Sequence, residues 1–160
     1  SVLPAPKDPR LANKIGIKYI DIILDKAKSR YDYILVDTNH NLSDLNLLTF
    51  DSSDMILYLI TEDIIGLKNM HTMISIYSDM RKDNYKIILN NSIQNKGKIS
   101  KYDIKHMIGH TIDYIISSSF YIKNIDDYII KGKIPALEKK FKKNIKGLEK
   151  IVNDINFDEE

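Results

Sequence analysis

MILYLITEDIIGLKNMHTMISIYSDMRKDNYKIILN, residues 55–90, holds two short apolar runs, Met55–Ile60 and Lys86–Leu89, on either side of a longer segment. Within that segment Leu67, Met70, Ile74 and Tyr77 recur every three or four positions, the period of one helix face. The flanking runs are rich in β-branched residues and show no polar alternation, as expected of strands covered by helices on both faces. The stretch therefore reads as strand, crossover helix over Ile65–Met80, and parallel strand. Outward from it, Tyr33–Val36 in YDYILVD, Asp113–Ile116 in DYII and Val2–Leu3 are further strand candidates. Lys14–Ala27 sets Ile15, Tyr19, Ile22, Ile23 and Ala27 on one stripe and reads as a second crossover helix. The expected fold is α/β, a mostly parallel sheet in a three-layer αβα arrangement, with residues 1–160 forming a single domain.

Local signals refine the helices. Ser100 and Asp103 in SKYD have the form of a capping box, and Thr61 in TED is a candidate cap for the helix that follows it. NNSIQNKGKIS, Asn90 to Ser100, is the longest polar interruption, and KGKIP at Lys131–Pro135 is the second. A final helix is expected from Ala136 to about Asp154, with Leu137, Phe141, Ile145, Leu148, Val152 and Ile155 packed back on the sheet. Lys139, Lys140, Lys142, Lys143, Lys146 and Lys150 surround that stripe. They read as a solvated face, and they are also the best surface for weak peripheral contact with an anionic membrane or with nucleic acid.

Composition excludes several classes. Hydrophobic residues at 43% and charged residues at 29% argue against a disordered tail, a rod or a collagen-like chain. With 24 Lys+Arg against 22 Asp+Glu, the net charge of +2 gives no strong nucleic-acid signal. The absence of cysteine removes disulfides, thiolate zinc sites and cysteine nucleophiles, and fits a reducing compartment, with the cytoplasm the simplest expectation. No apolar run reaches the roughly 20 residues of a membrane span, and SVLPAPKDPR is not built like a signal peptide.

In open α/β sheets ligands bind at the carboxyl ends of the strands, which here carry Asp37-Thr38-Asn39, Thr61-Glu62-Asp63, Asn90-Asn91 and Ser117-Ser118. Asp37 follows four apolar strand residues, where a carboxylate at the rim can bind hydrated Mg²⁺; it can equally cap the helix expected near Ser43 or simply end a strand. Asn90 offers the donor and acceptor that satisfy an adenine edge, and it can equally be a turn residue. His106 and His110 are four apart, but Gly109 and Thr111 end the helix between them, so no metal site is expected there. The sequence contains no G-x-S-x-G, no G-x-G-x-x-G and no G-x-x-x-x-G-K-[ST].

Several segments, in order, resemble the carboxyl-terminal half of a MinD/ParA-type deviant Walker ATPase, in particular the CpaE/TadZ branch tied to Flp/Tad pilus assembly. VLPAPKDPR is similar to that branch's strand-end stretch, YDYILVDTN to its Walker B strand, FDSSDMILYLITED to the segment after it, and IGLKNMHTMI to the next helix. KIILNNSIQNKGKIS and DDYIIKGKIP resemble two later family segments. The resemblance implies a P-loop NTPase-like domain truncated at its amino terminus, with Asp37 holding Mg²⁺ through water beside Thr38, Asn90 reading adenine, and Ile116 and Ser117 flanking the base. It implies ATP and Mg²⁺ as ligands of the whole protein, a homodimer, pilus or secretion assembly proteins as partners, and a place at the inner membrane face or cell pole.

Asn39, His40 and Asn41 depart from the family's run after the Walker B residues, Asn91 stands where an Arg is common, and serines replace the usual Pro and acid after DYII. Phosphate binding in this class needs a Gly-rich loop and lysines that the chain lacks, so the chain alone is not expected to hydrolyse ATP. Two other classes stay open: a non-catalytic scaffold that keeps the fold, and a phosphoacceptor receiver domain. The receiver needs an acidic pair and a clamping Lys, for which Asp8 and Asn90 are poor substitutes.

Overall fold

The structure is a computed structural model that describes residues 1–12, 16–39, 42–90, 99–118 and 121–157. Two compact units divide the chain, residues 1–54 and residues 55–160. The first holds helices α1 (Pro9–Ala12), α2 (Lys18–Lys28) and α3 (Asp44–Asp51). The second runs β1 (Ile56–Ile60), α4 (Ile64–Asp79), β2 (Tyr85–Asn90), α5 (Lys101–Ile108), β3 (Tyr114–Ile116), α6 (Ile125–Ile130), two 3-10 turns at Pro135–Leu137 and Lys139–Phe141, and α7 (Lys142–Phe157).

The second unit is an α/β sheet whose three strands lie in the order β1-β2-β3, all parallel, with α4 and α5 as the connections that parallel neighbours require. Register pairs Ile56 with Tyr85 through Ile60 with Leu89, and Ile88 with Tyr114 through Asn90 with Ile116. Ile60, Ile87 and Leu89 pack with Leu67 and Met70 of α4 and Ile104 and Ile108 of α5 into the core. Ile88 must point to the opposite face by strand alternation, and it is also buried. β2 is therefore covered on both sides, which explains its unbroken apolar run. α7 lies against β3 and buries Ile151.

The caps are local. Asp63 accepts the Gly66 N–H at 2.6 Å to start α4, and the Thr61 hydroxyl donates to the same carboxylate. Asp63, not Thr61, is thus the cap, because its carboxylate reaches the orphan backbone donor of the first turn. At α5 the Ser100 hydroxyl oxygen accepts the Asp103 N–H at 3.1 Å and donates to the Asp103 carboxylate at 2.6 Å, the reciprocal pair expected from SKYD. Gly109 ends α5 in the left-handed region at φ 71°, its N–H donating to the Lys105 carbonyl.

Other expectations are corrected. Val2–Leu3 and Tyr33–Val36 are not strands: both are irregular, with Val2 89% and Leu35 94% exposed. β-propensity supplies a willing backbone, but a strand exists only where its N–H and C=O groups meet a neighbouring ladder. Among the described residues of the first unit no ladder forms. α2 accordingly is not a crossover helix; it begins at Lys18, and Tyr19, Ile22 and Ile23 of its stripe are exposed. The final helix starts at Lys142 and not at Ala136, since Glu138 adopts an extended backbone between the two 3-10 turns. Leu137 and Val152 are exposed where burial was expected, and Ile151 turns inward instead.

Candidate functional site

The carboxyl edge of the parallel sheet is formed by the ends of β1, β2 and β3. Asn90 is the last residue of β2 and Ile116 the last of β3, and the two are register partners. Ser117 follows immediately and is exposed, while Asn90 and Ile116 are half-buried. Three of the five residues singled out in the sequence are thus brought to one place by strand pairing. By strand alternation Asn90 shares its face with Ile88 and not with the core formed by Ile87 and Leu89. An amide side chain carries both a donor and an acceptor, the pair that matches one edge of a planar heterocycle. Asn91 lies outside the described residues, as does most of the loop expected from Asn90 to Ser100.

Thr61, Glu62 and Asp63 follow β1 at the same edge. Asp63 is held below the usual carboxylate range, first by the Thr61 hydroxyl and then by the Gly66 N–H. Its two bonds give it a structural task, and Gly66 belongs to the same device, because a Cβ on Gly66 would stand 2.7 Å from Asp63 Oδ2.

Asp37 and Thr38 belong to the first unit. Asp37 is exposed and Thr38 half-buried, on the irregular stretch that follows Leu35 and Val36. The next residue is anchored: Asn46 Nδ2 donates to the Asn39 carbonyl at 3.1 Å and to Asn39 Oδ1 at 2.7 Å. Asn46 is only 4% exposed and its own N–H donates to Ser43 Oγ at 3.3 Å. The cap of α3 is therefore Ser43 and not Asp37, and Asp37 does not end a strand either, because residues 33–39 form none. Asn46 is the residue the sequence reading missed; its signal was an amide inside the otherwise apolar LNLL of α3. His40 and Asn41 lie outside the described residues.

Among the described residues no group of three or more His, Asp or Glu side chains could hold a metal ion directly. A hydrated Mg²⁺ does not need such a cage, since it keeps several waters and takes one or two carboxylates together with phosphate oxygens. Asp37 with the Thr38 hydroxyl fits that outer-shell chemistry in kind. No helix among the described residues is long and apolar enough to cross a membrane.

A parallel sheet with crossover helices and a polar carboxyl edge is a doubly wound α/β architecture, in which ligands bind outside the carboxyl ends of the strands. Solved structures of a ParA family ATPase and of the MinD cell division protein are similar to this chain. They include a ParA family ATPase from Chlorobium tepidum TLS, with a TM-score of 0.65 at 21% identity over 78% of this chain and 49% of that one. The MinC:MinD cell division protein complex of Aquifex aeolicus gives 0.69 at 22% identity, covering 88% of this chain and 60% of the other. MinD of Aquifex aeolicus alone gives 0.63 at 23%, covering 86% and 59%. The chain thus has the α/β fold of these ParA and MinD structures and spans about half to three-fifths of their length. No protein-family model matches the sequence, and comparison with curated proteins finds no match.

Proposed function

We propose that the chain is part of a MinD/ParA-like ATP-binding protein of the CpaE/TadZ type, which positions or assembles a pilus or secretion machine as a homodimer. The observation that carries this reading is the pairing of Asn90 with Ile116 at the carboxyl edge of a parallel sheet of the ParA and MinD fold. In the proposed complex Asn90 reads the adenine edge, Ile116 and Ser117 flank the base, and Asp37 with Thr38 holds Mg²⁺ through water. Bound Mg²⁺ would neutralise phosphate charge. The Gly-rich loop and its lysine, absent from this sequence, would come from the remainder of the protein, so hydrolysis is assigned to the whole protein and not to this chain. Residence at the inner membrane face or pole belongs to the same proposal.

The test is calorimetric titration of Mg·ATP into the full-length native protein and its Asn90→Ala and Asp37→Asn variants. Saturable binding weakened by both supports the reading, and absence of heat from the full-length protein overturns it. A second reading, a scaffold with the fold but without nucleotide chemistry, is favoured by Asn39, which departs from the family's pattern and is tied to Asn46 on both its oxygens. The same titration separates the two.

A further inference from the structure

The helix α3 does not itself need the buried amide of Asn46. The residue lies third in the helix after the Ser43 cap, within the apolar run LNLL, and is only 4% exposed. A buried amide costs free energy unless its polar atoms are bonded, and a leucine at this place would carry no such cost. In a capping box the side chain at this position returns to the N–H of the cap itself. Asn46 reaches further back: its Nδ2 donates to the Asn39 carbonyl at 3.1 Å and to Asn39 Oδ1 at 2.7 Å, closing the stretch between them into a loop. The helix end of this tie is firm. The Asn46 N–H donates to Ser43 Oγ at 3.3 Å, the Leu47 N–H to the Ser43 carbonyl at 2.9 Å, and the buried Thr49 hydroxyl to the Leu45 carbonyl at 2.8 Å.

Asn39 is exposed, so water can serve both of its oxygens once Asn46 is replaced. The tie is therefore worth little as folding energy, and what it fixes is position. Asp37 lies two residues before Asn39, within about 7 Å along the chain, and the half-buried Thr38 stands between them. A carboxylate that holds Mg²⁺ only through water has no direct metal bond to orient it, so the anchoring of its own backbone sets where that water is held. We infer, on the ATP-binding reading of Asp37 proposed above, that Asn46 is a positioning residue for the Asp37–Thr38 magnesium site and acts through Asn39. On that reading Asn39, which departs from the family's run, is the support of the site and not a sign of its loss.

The test is calorimetric titration of ATP, once with Mg²⁺ and once with EDTA, into the full-length native protein and four variants: Asp37→Asn, Asn46→Leu, Asn39→Ala, and Asp37→Asn combined with Asn46→Leu. Asn46→Leu should weaken Mg·ATP by roughly tenfold, as loss of an outer-shell partner does, and leave metal-free ATP unchanged. Asn39→Ala removes Oδ1 but keeps the carbonyl, so it should lose less. Because Asn46 acts through Asp37, the double variant should bind Mg·ATP no more weakly than Asp37→Asn alone. Without nucleotide, hydrogen exchange over residues 37–39 should quicken in Asn46→Leu while the thermal midpoint stays within a few degrees of the native value. Native Mg·ATP affinity in Asn46→Leu, an equal loss with and without Mg²⁺, or additive losses in the double variant overturns the role of Asn46 and leaves that of Asp37 standing. Native affinity in Asp37→Asn instead overturns the ATP-binding reading of Asp37, and the role of Asn46 falls with it. Should Asn46→Leu fail to fold, Asn39→Ala at its exposed position carries the comparison, and absence of a Mg²⁺-dependent loss there overturns the proposal.

Discussion

Asp113 and Ile87 exchange two hydrogen bonds across the sheet: the Ile87 N–H donates to Asp113 Oδ2 at 2.7 Å, and the Asp113 N–H donates to the Ile87 carbonyl at 3.0 Å. The carboxylate extends the β2–β3 ladder one step before β3 begins, and Lys86 approaches its other oxygen at 4.0 Å. This clasp sets the register that later brings Asn90 beside Ile116.

Asp113→Ala should leave the N–H of the fully buried Ile87 without this acceptor and lower stability by about 1–3 kcal/mol. Asp113→Asn, which keeps an acceptor oxygen, should lose less. Urea denaturation of the three proteins checks the order, and equal midpoints for Asp113→Ala and the native chain would count against the clasp.

Removal of the α4 cap by Asp63→Ala should lower stability by about 1 kcal/mol. Its pH dependence has a definite sign. Because the folded Asp63 carboxyl is held below its ordinary value, its stabilisation is complete above the unfolded carboxylate range near pH ~3.9 and is lost as pH falls through the lower folded value. Asp63→Asn should therefore show a shallower loss of stability than the native chain as pH falls below the ordinary carboxylate range, measured by chemical denaturation at each pH.

Gly109→Ala should lower stability by about 1 kcal/mol, through backbone strain and not through collision. A Cβ there would sit 3.5 Å from His71 Nδ1, an ordinary contact, whereas φ 71° is unfavourable for any residue with a side chain. Thermal melts of Gly109→Ala and Gly109→Asn separate the two causes: Asn tolerates the left-handed region, so it should recover part of the loss.

If Asn90 reads adenine, Asn90→Ala in the full-length protein should weaken Mg·ATP by about tenfold or more and leave selectivity for adenine over guanine nucleotides reduced. Competition titration with Mg·GTP is the measurement. A uniform loss for both nucleotides would point to general damage at the edge and not to base reading.

The second unit was largely legible. Met55–Ile60 and Asp113–Ile116 contain β1 and β3, Lys86–Leu89 lies within β2, Ile65–Met80 is offset by one residue from the long helix and SKYD marks the start of the next, because runs of β-branched residues and capping pairs act over a few neighbouring positions. Asn90 and Ser117 were legible as site candidates for a similar reason: each stands at the end of a strongly apolar run. The first unit was not. YDYILVD has the composition of a buried parallel strand yet leaves Leu35 exposed, and the stripe of α2 buries none of its described residues. Periodicity marks which side chains prefer to leave water; it does not supply the surface they leave it against. Among the described side chains of α7 Ile151 is buried and Val152 exposed, which shows the same limit: packing against β3 chooses between adjacent positions that periodicity leaves equivalent.

By itself the sequence determined the alternation of strand and helix over residues 55–116, the parallel character of the sheet and the residues at its carboxyl edge, all consequences of local propensity and of the two hydrophobic periods. Tertiary structure alone decided that Asn90 and Ile116 are neighbours, that Asp113 clasps Ile87 and that Asn46 anchors Asn39. Those relations join residues separated in the chain, and they arise only when ladders and packed faces choose among partners that composition leaves equivalent.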